Sequence, residues 1–377
     1  MLSANVSGRI FMINFKDSVF FLGGNTSKGF YAFLSELYNP FDRWRMYIIK
    51  GGPGTGKSYF MKKIAKELEK YGVAVERILC ASDPNSLDAI MCHEIKLSIA
   101  DGTAPHVLEP KFPGVVEQIL NFGEFWDETQ LRERGMDIRS ATLMNSEEHK
   151  SSARYLKAAA SIEQDNKKLT ADIVLTDKIR RFAQRLAARE FERKKGVPTR
   201  EYMRFLSAIT PEGIIFKEDT AVRLCPRLIA INDPLRAVSP LLLKHLRDSA
   251  MLHGLDIISC PCPMDPDGGL EHLLIPEIGV GFITTNQYHT LQNKPQRTIH
   301  CERFINDEKL KTVHGRLVLN AKVKSELIEE AISHLRNAKE CHDILESFYI
   351  DAMDFGELKK LSERILEKIK KEQGLED

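Results

Sequence analysis

Long hydrophobic runs are missing from the sequence. Its 377 residues contain no stretch of about twenty apolar side chains, the length that a membrane-spanning helix requires. Residues 1–8 are polar, whereas a secretory signal would carry a basic and then an apolar segment. Both absences argue against a membrane or exported protein and predict a cytoplasmic one.

An excess of charge of either sign is missing as well. Lysine plus arginine number 54, and aspartate plus glutamate number 53. A near-neutral chain has no overall field that attracts it to DNA, RNA or an anionic bilayer, so nucleic acid is not indicated as a partner. The length exceeds the size at which single hydrophobic cores stop growing, and two domains are expected.

The cysteine pattern contains no CxxC pair, the spacing on which structural zinc sites commonly rely. Seven cysteines are an odd number in a large chain, which favours reduced, buried thiols over a disulfide framework. A metal-binding alternative starts from Cys260-Pro261-Cys262, with Cys301 beside His300 and Cys341 beside His342.

A glycine-rich loop is the most informative segment. Before it, Arg45–Lys50 carries bulky apolar residues at positions 46–49, as a strand buried on both faces does. After it, apolar residues recur at helical spacing until just before Gly72. The loop and the residue that follows it are Gly51, Gly52, Pro53, Gly54, Thr55, Gly56, Lys57, Ser58 and Tyr59. Strand, glycine loop and helix thus occur in the order of a P-loop.

The composition of this loop suits phosphate. Glycines let the backbone curl so that successive N–H groups point inward, at the positive end of the helix dipole. Lys57 would add a charge for the β- and γ-phosphates, and the Ser58 hydroxyl would hold Mg²⁺. Residues 51–59 are therefore predicted to bind ATP or GTP with Mg²⁺, and Lys57 is predicted to be catalytic.

A second Mg²⁺ ligand, also catalytic, is predicted at Asp101. This residue follows the apolar segment 95–100, so it would close a strand near the phosphate loop. Turns favour aspartate in any case, so the position alone is a weak signal. The next residue is Gly102 rather than a glutamate, and no general base can be named.

The chain contains two related copies of this segment. The strand 45–49 aligns with residues 227–231, and Gly72 aligns with Gly254. Asp83-Pro84 aligns with Asp265-Pro266. Two related domains follow from such a repeat. We predict an α/β fold of the P-loop NTPase type in tandem, with parallel sheets and flanking helices, divided into residues 1–195 and residues 196–377.

The second copy lacks the chemistry of the first. Asp233–Pro240 replaces the phosphate loop and contains neither glycine nor lysine. Thr284 aligns with Asp101, so the predicted metal ligand is lost together with the loop that it should serve. We therefore predict one nucleotide per chain, bound by the first domain, and a degenerate second domain that regulates or interacts.

Each copy is followed by a helical tail with an apolar stripe and a charged opposite face, at residues 155–186 and 327–369. The simplest interpretation is a helical hairpin packed on the core of its own copy. The alternative is a lid or a partner-binding arm, and the helical segment with Arg132, Arg134 and Arg139 is a candidate for such a lid.

Two smaller features bear on the site. His106 aligns with His289 of the second copy, which favours packing or capping over a role at the γ-phosphate. Residues 23–25 and Lys28 differ between the copies, so this segment is either a nucleotide contact or a drifted surface turn.

Several segments together carry a family resemblance: residues 23–26 (GGNT), 51–58, 82–88, 101–106 (DGTAPH), 109–111 and 126–127. Through them the chain resembles an uncharacterised family of bacterial, mainly Firmicutes-type, tandem P-loop ATPases over nearly its whole length. The resemblance implies ATP binding and hydrolysis but no substrate. Members often keep a second glycine-rich loop, and this chain departs from the family there.

Three functions stay open at this point. The first is an ATPase, a hydrolase in which nucleotide turnover rearranges the two copies. The second is a small-molecule or nucleotide kinase with a helical lid, and the third is a nucleotide-sensing scaffold without turnover. The protein partner or small-molecule acceptor is unknown in each case.

Overall fold

The computed structural model describes residues 13–105, 107–191 and 199–375. It shows an α/β protein with two six-stranded mixed sheets flanked by helices, in two similar halves that each carry a helical tail. His106 and the predicted domain boundary at 195/196 lie outside the described residues.

The first half contains strands and helices in the predicted order. Its elements are β1 (Val19–Phe20), β2 (Gly23–Thr26), β3 (Gly29–Ala32), β4 (Arg45–Lys50), α1 (Lys57–Lys70), β5 (Glu76–Leu79), β6 (Leu87–Cys92), β7 (Leu97–Asp101), β8 (Glu117–Asn121), α2 (Glu128–Glu133), α3 (Gly135–Ala171) and α4 (Thr176–Glu190). Strand β4 is buried at all four central positions, and α1 directly follows the glycine loop. The predictions for this segment are confirmed.

The first sheet has the strand order β1-β5-β6-β7-β4-β8. All neighbouring strands are parallel except β6, which runs antiparallel to both β5 and β7. Strand β4 therefore lies between β7 and β8, and its Ile49 is opposite Asp101 of β7. This register brings the end of β7 to the beginning of the glycine loop.

The second half repeats this plan. Its elements are β9 (Glu201–Met203), β10 (Ser207–Thr210), β11 (Gly213–Phe216), α5 (Glu218–Leu224), β12 (Arg227–Asn232), α6 (Ser239–Leu252), β13 (Ile257–Pro261), β14 (Leu270–Ile275), β15 (Val280–Thr285), β16 (Arg297–His300), α7 (Asp307–Ala352) and α8 (Phe355–Gln373).

The second sheet confirms the repeat that the sequence predicts. Its order is β9-β13-β14-β15-β12-β16, which matches the first sheet strand for strand, with β14 as the antiparallel member. Ile231 lies opposite Thr284, as Ile49 lies opposite Asp101. The sequence alignment that pairs Asp101 with Thr284 is thus correct in space.

The prediction that each tail packs on its own core is wrong. In the tail of the first half, Ile173, Ile179 and Phe182 belong to the hydrophobic core that contains Ile229 and Ile231 of β12. A helix of 37 residues such as α3 is longer than a small domain is wide, so it cannot follow one core along its whole length.

The second tail behaves in the same way. Leu358 of α8 lies against Gly56 of the glycine loop, and Lys368 donates to Gln118 of β8 at 2.9 Å. The tails are therefore exchanged between the copies.

The compact units of the chain follow this exchange rather than the predicted contiguous division. One unit consists of Phe15–Lys157, Ala208–Ile215 and Leu327–Asp377, and contains the glycine loop. We call it the loop unit. The other consists mainly of Ala158–Ser207 and Phe216–Glu326 and contains the second sheet, so we call it the second unit.

Among the helices of the described residues, none combines the length and the apolar character needed to cross a bilayer.

Candidate functional site

The glycine loop of the loop unit turns from β4 into α1 through two left-handed residues. Gly54 has φ of 69° and Gly56 has φ of 84°, a region that side chains with a Cβ seldom adopt. The Thr55 hydroxyl donates to the Gly52 carbonyl at 2.8 Å and closes the turn. Glycine adopts this backbone at both positions without the strain that a Cβ would add.

Lys57 lies at the centre of the candidate site. Its ammonium donates to the carbonyl oxygens of Gly51 at 2.9 Å and Gly52 at 2.6 Å. The same nitrogen is 3.5 Å from Oδ2 of Asp101, and both side chains are largely buried, at 13% and 15% exposure. The structure thus brings together the two residues to which the sequence assigned catalytic roles.

Thr103 fixes this arrangement, and sequence reasoning missed it. Its backbone N–H donates to Oδ1 of Asp101 at 2.8 Å, and its hydroxyl donates to the Gly51 carbonyl at 2.9 Å. Asp101 is therefore oriented from one side and the loop is anchored from the other. An Asp-x-Thr spacing at a strand end is the signal that would have revealed it, because aspartate readily binds the N–H two residues on.

Ser58 and Tyr59 begin α1 and differ in environment. The Ser58 hydroxyl accepts from the Leu87 N–H at 3.0 Å. Tyr59 is 72% exposed. Both residues line the same cavity as the loop.

This cavity has a volume of about 740 Å³ and lies within the loop unit. One wall is formed by residues 53–59 together with Asp101 and Thr103. Further lining residues come from the long tail helices α3 and α7; the polar ones among them include Asn145, Ser146, His149, Lys339, His342, Glu346 and Tyr349. The α7 residues are far from the loop in sequence, and only the exchange of tails brings them to it.

Helix α7 packs directly on the glycine loop. A Cβ on Gly52 would lie 2.7 Å from a ring carbon of Tyr349. A Cβ on Gly54 would lie 2.6 Å from the backbone oxygen of Glu346. Because Gly52 and Gly54 have no side chains, α7 can pack closely against the loop. The glycines therefore serve this packing as well as the shape of the turn.

His149 and His342 both line this cavity, and their imidazoles interact electrostatically. Burial lowers the pKa of His149, and the nearby His342 lowers it further. His149 is consequently neutral at pH 7, because its ordinary pKa is already below that value. A neutral imidazole offers one donor and one acceptor to a polar ligand.

Other residues singled out from the sequence lie elsewhere. Arg132 and Arg134 are 81% and 65% exposed and are not among the described residues that line the cavity. Asn25 does line it, but its amide donates to the carbonyls of Ala81 at 3.5 Å and Ile209 at 2.9 Å. These two arginines thus do not contribute to the cavity, the arginine lid stays a prediction, and Asn25 holds two backbone segments together.

The corresponding loop of the second unit is filled by its own side chains. Oδ2 of Asp233 accepts from the N–H groups of Val238 at 2.8 Å and Ser239 at 2.6 Å, where α6 begins. Arg236 has φ of 52° at the position of Gly54, and its guanidinium is 3.6 Å from Glu163 and 3.4 Å from Glu271. A carboxylate thus occupies the helix terminus that a phosphate would need.

The seven cysteines lie within the described part of the chain and are free thiols, five of them buried. Burial raises the pKa of Cys262 to about 11 and that of Cys260 above its ordinary range. Among the described residues, no cluster with metal-binding geometry includes a cysteine. The geometry gives no support to the cysteine metal site.

Comparisons of this chain with protein-family models, with curated proteins and with solved structures found no match. The resemblance to tandem P-loop ATPases therefore stays a prediction that depends on the quoted motifs.

The contact between the loop and α7 gives a stability prediction. Gly54→Ala should destabilise the protein by about 1 kcal/mol for the left-handed backbone, plus roughly 1–3 kcal/mol for the clash with α7. Gly72→Ala is the matched control, since Gly72 has φ of 79° but no neighbour within 4 Å of its added Cβ. Urea unfolding without ligand measures both, and an equal loss for the two variants would contradict the close packing of α7.

Proposed function

We propose that the loop unit binds Mg²⁺-ATP or Mg²⁺-GTP and cleaves its terminal phosphoryl bond, and that the second unit binds no nucleotide. The proposal depends above all on one observation, the position of Lys57. Its ammonium lies at the start of α1, between two loop carbonyls and Asp101, on the wall of a cavity large enough for a nucleotide.

The loop suits an anion because the present hydrogen-bond acceptors of Lys57 are weak ones. Lys57 donates to neutral carbonyl oxygens, and phosphate oxygens are stronger acceptors because they are charged. The N-terminus of α1 adds its backbone N–H groups and the positive end of its dipole. A triphosphate would therefore draw Lys57 away from Gly51 and Gly52 without an unpaired buried charge being left behind.

The residues also fit a magnesium ion. Mg²⁺ takes oxygen ligands and usually retains several waters. The Ser58 hydroxyl and the Asp101 carboxylate both line the cavity, so they would hold the ion directly or through its waters. The ion when bound supplies charge neutralisation between the phosphates. Thr103 keeps the Asp101 carboxylate aimed towards the loop.

The second unit supports a single site per chain. Asp233 places a buried negative charge on the first N–H groups of α6, where a phosphate would have to bind. Repulsion between that carboxylate and a phosphate opposes binding, and Pro240 removes a further N–H. The second unit is thus proposed to act as a regulator or platform.

Phosphoryl transfer to a small acceptor is the second candidate, favoured by the polar residues that α3 and α7 contribute to the cavity. Neutral His149, with Asn145 and His342, offers hydrogen-bonding groups in the same cavity as Lys57. Water as the acceptor gives a hydrolase, whereas a hydroxylated metabolite in that space gives a kinase.

Product analysis separates these functions. The protein is incubated with Mg²⁺-ATP alone and with a panel of metabolites, and free phosphate and ADP are measured separately. Phosphate release without an acceptor is expected of the hydrolase, and ADP formed only with an acceptor indicates a kinase. Tight binding without either product would contradict both activities and leave a nucleotide sensor.

Asp101→Asn tests the metal assignment. The amide keeps the shape but loses the charge, so nucleotide binding should persist while turnover falls and the Mg²⁺ requirement shifts to higher concentration, by about tenfold or more. The control is Glu109→Gln, which removes an equal charge from a 68% exposed carboxylate nearby. Unchanged turnover and an unchanged magnesium titration for Asp101→Asn would return this residue to a purely structural role.

A further inference from the structure

The second unit contains a buried cluster of Glu271, His272 and His289. Glu271 and His272 lie on β14, and His289 lies in the loop after β15. One potential ligand atom from each lies within 4.8 Å of the others, and the residues are only 3%, 1% and 3% exposed. The spacing of these atoms is compatible with a common ion between them.

A β-bulge explains how Glu271 and His272, which are adjacent in β14, can both reach the same cluster. In the pairing of β13 with β14, Cys260 is opposite His272, whereas the next residue, Pro261, is opposite Leu270. Glu271 is therefore the extra residue, and a bulge turns its side chain from the face that strict alternation would give it. Such bulges commonly re-aim side chains at functional sites.

The cluster carries polar atoms that lack hydrogen-bond partners among the described residues. They are both ring nitrogens of His272, Nδ1 of His289 and Oε2 of Glu271. A buried polar group without a hydrogen-bond partner destabilises the folded protein. One unpaired atom from each of the three residues is therefore available to a ligand that accepts lone pairs.

Neighbouring polar groups orient two of the candidate ligands, His289 and Glu271. The Ser207 hydroxyl is 3.0 Å from Nε2 of His289, so a proton on Nε2 leaves the lone pair of Nδ1 free. Arg236 lies 3.4 Å from Oε1 of Glu271 and orients the carboxylate with Oε2 unengaged. Metal-binding histidines and carboxylates characteristically have such partners.

The surrounding charges and rings complete the environment. Arg236 faces Glu163 as well, and Glu163 pairs with Lys324 at 2.9 Å, so the two cations are offset by two carboxylates. The His272 ring stacks on Phe216, with ring centres 5.2 Å apart.

We propose that Glu271, His272 and His289 bind a divalent transition-metal ion of the zinc type. Two imidazoles and one carboxylate are ligands that zinc accepts, and a water would complete the usual set of four. The proposal is independent of nucleotide binding, because these residues belong to the second unit.

Zinc titration of the intact protein tests the site. The full-length chain is stripped with a chelator, titrated with Zn²⁺ alone, freed of excess ion and analysed for metal content and melting temperature. We expect one zinc per chain and a rise in melting temperature, since an ion that binds only the folded state stabilises it. Substoichiometric metal without a thermal shift would overturn the proposal.

Variants locate the ion. His272→Gln and His289→Gln should each reduce zinc affinity at least tenfold. The control is His342→Gln, which alters a partly exposed cluster of His342, Asp343 and Glu346 in the loop unit. Stoichiometric zinc in both cluster variants, or its loss only in the control, would overturn the assignment.

A spectroscopic measurement on the wild type keeps the test decisive where a variant fails to fold. Co²⁺ replaces zinc in the stripped protein, and its visible spectrum reports the ligands. Nitrogen and oxygen ligands give ligand-field bands without thiolate charge transfer, which is the expected result. A thiolate band would instead place the ion at cysteines such as Cys260 or Cys262.

Discussion

The position of the Lys57 ammonium is the constraint on which the candidate site depends. A charge that is largely buried must have partners, and here they are two loop carbonyls and the Asp101 carboxylate. Those partners exist only because β7 lies directly beside β4 and Thr103 fastens both Asp101 and Gly51. Sheet order, loop shape and charge are therefore a single arrangement.

The second unit shows what the same fold does when that charge is absent. Ser239 occupies the position of Lys57, and Asp233 caps the first turn of α6 from within the chain. Arg236 takes the left-handed position of Gly54 and binds buried carboxylates. Groups of the chain itself thus bind N–H groups at the start of α6.

Local patterns in the sequence predicted the repeat, strand β4 with the helix after it, and a position for Asp101 near the phosphate loop. They did not predict the antiparallel strands β6 and β14, which make both sheets mixed rather than parallel. The predicted features depend on short-range signals, such as the apolar strand 45–49 and the glycine loop, which a single segment specifies. The exchange of the tails was not predictable, because the apolar stripe of α4 could pack on any hydrophobic surface. The stripe does not specify which of the two sheets it covers. Lys339, His342 and Tyr349 were missed for the same reason, since only tertiary packing brings them to the cavity.

The most direct test of this account is calorimetric titration of the wild-type protein with a non-hydrolysable nucleoside triphosphate and Mg²⁺, repeated on Lys57→Ala. We predict one site per chain in the wild type and a severe loss of affinity in the variant. Lys66→Ala, which removes an exposed lysine from the same helix, should bind as the wild type does. Two sites in the wild type, or one strong site that survives Lys57→Ala, would contradict the account.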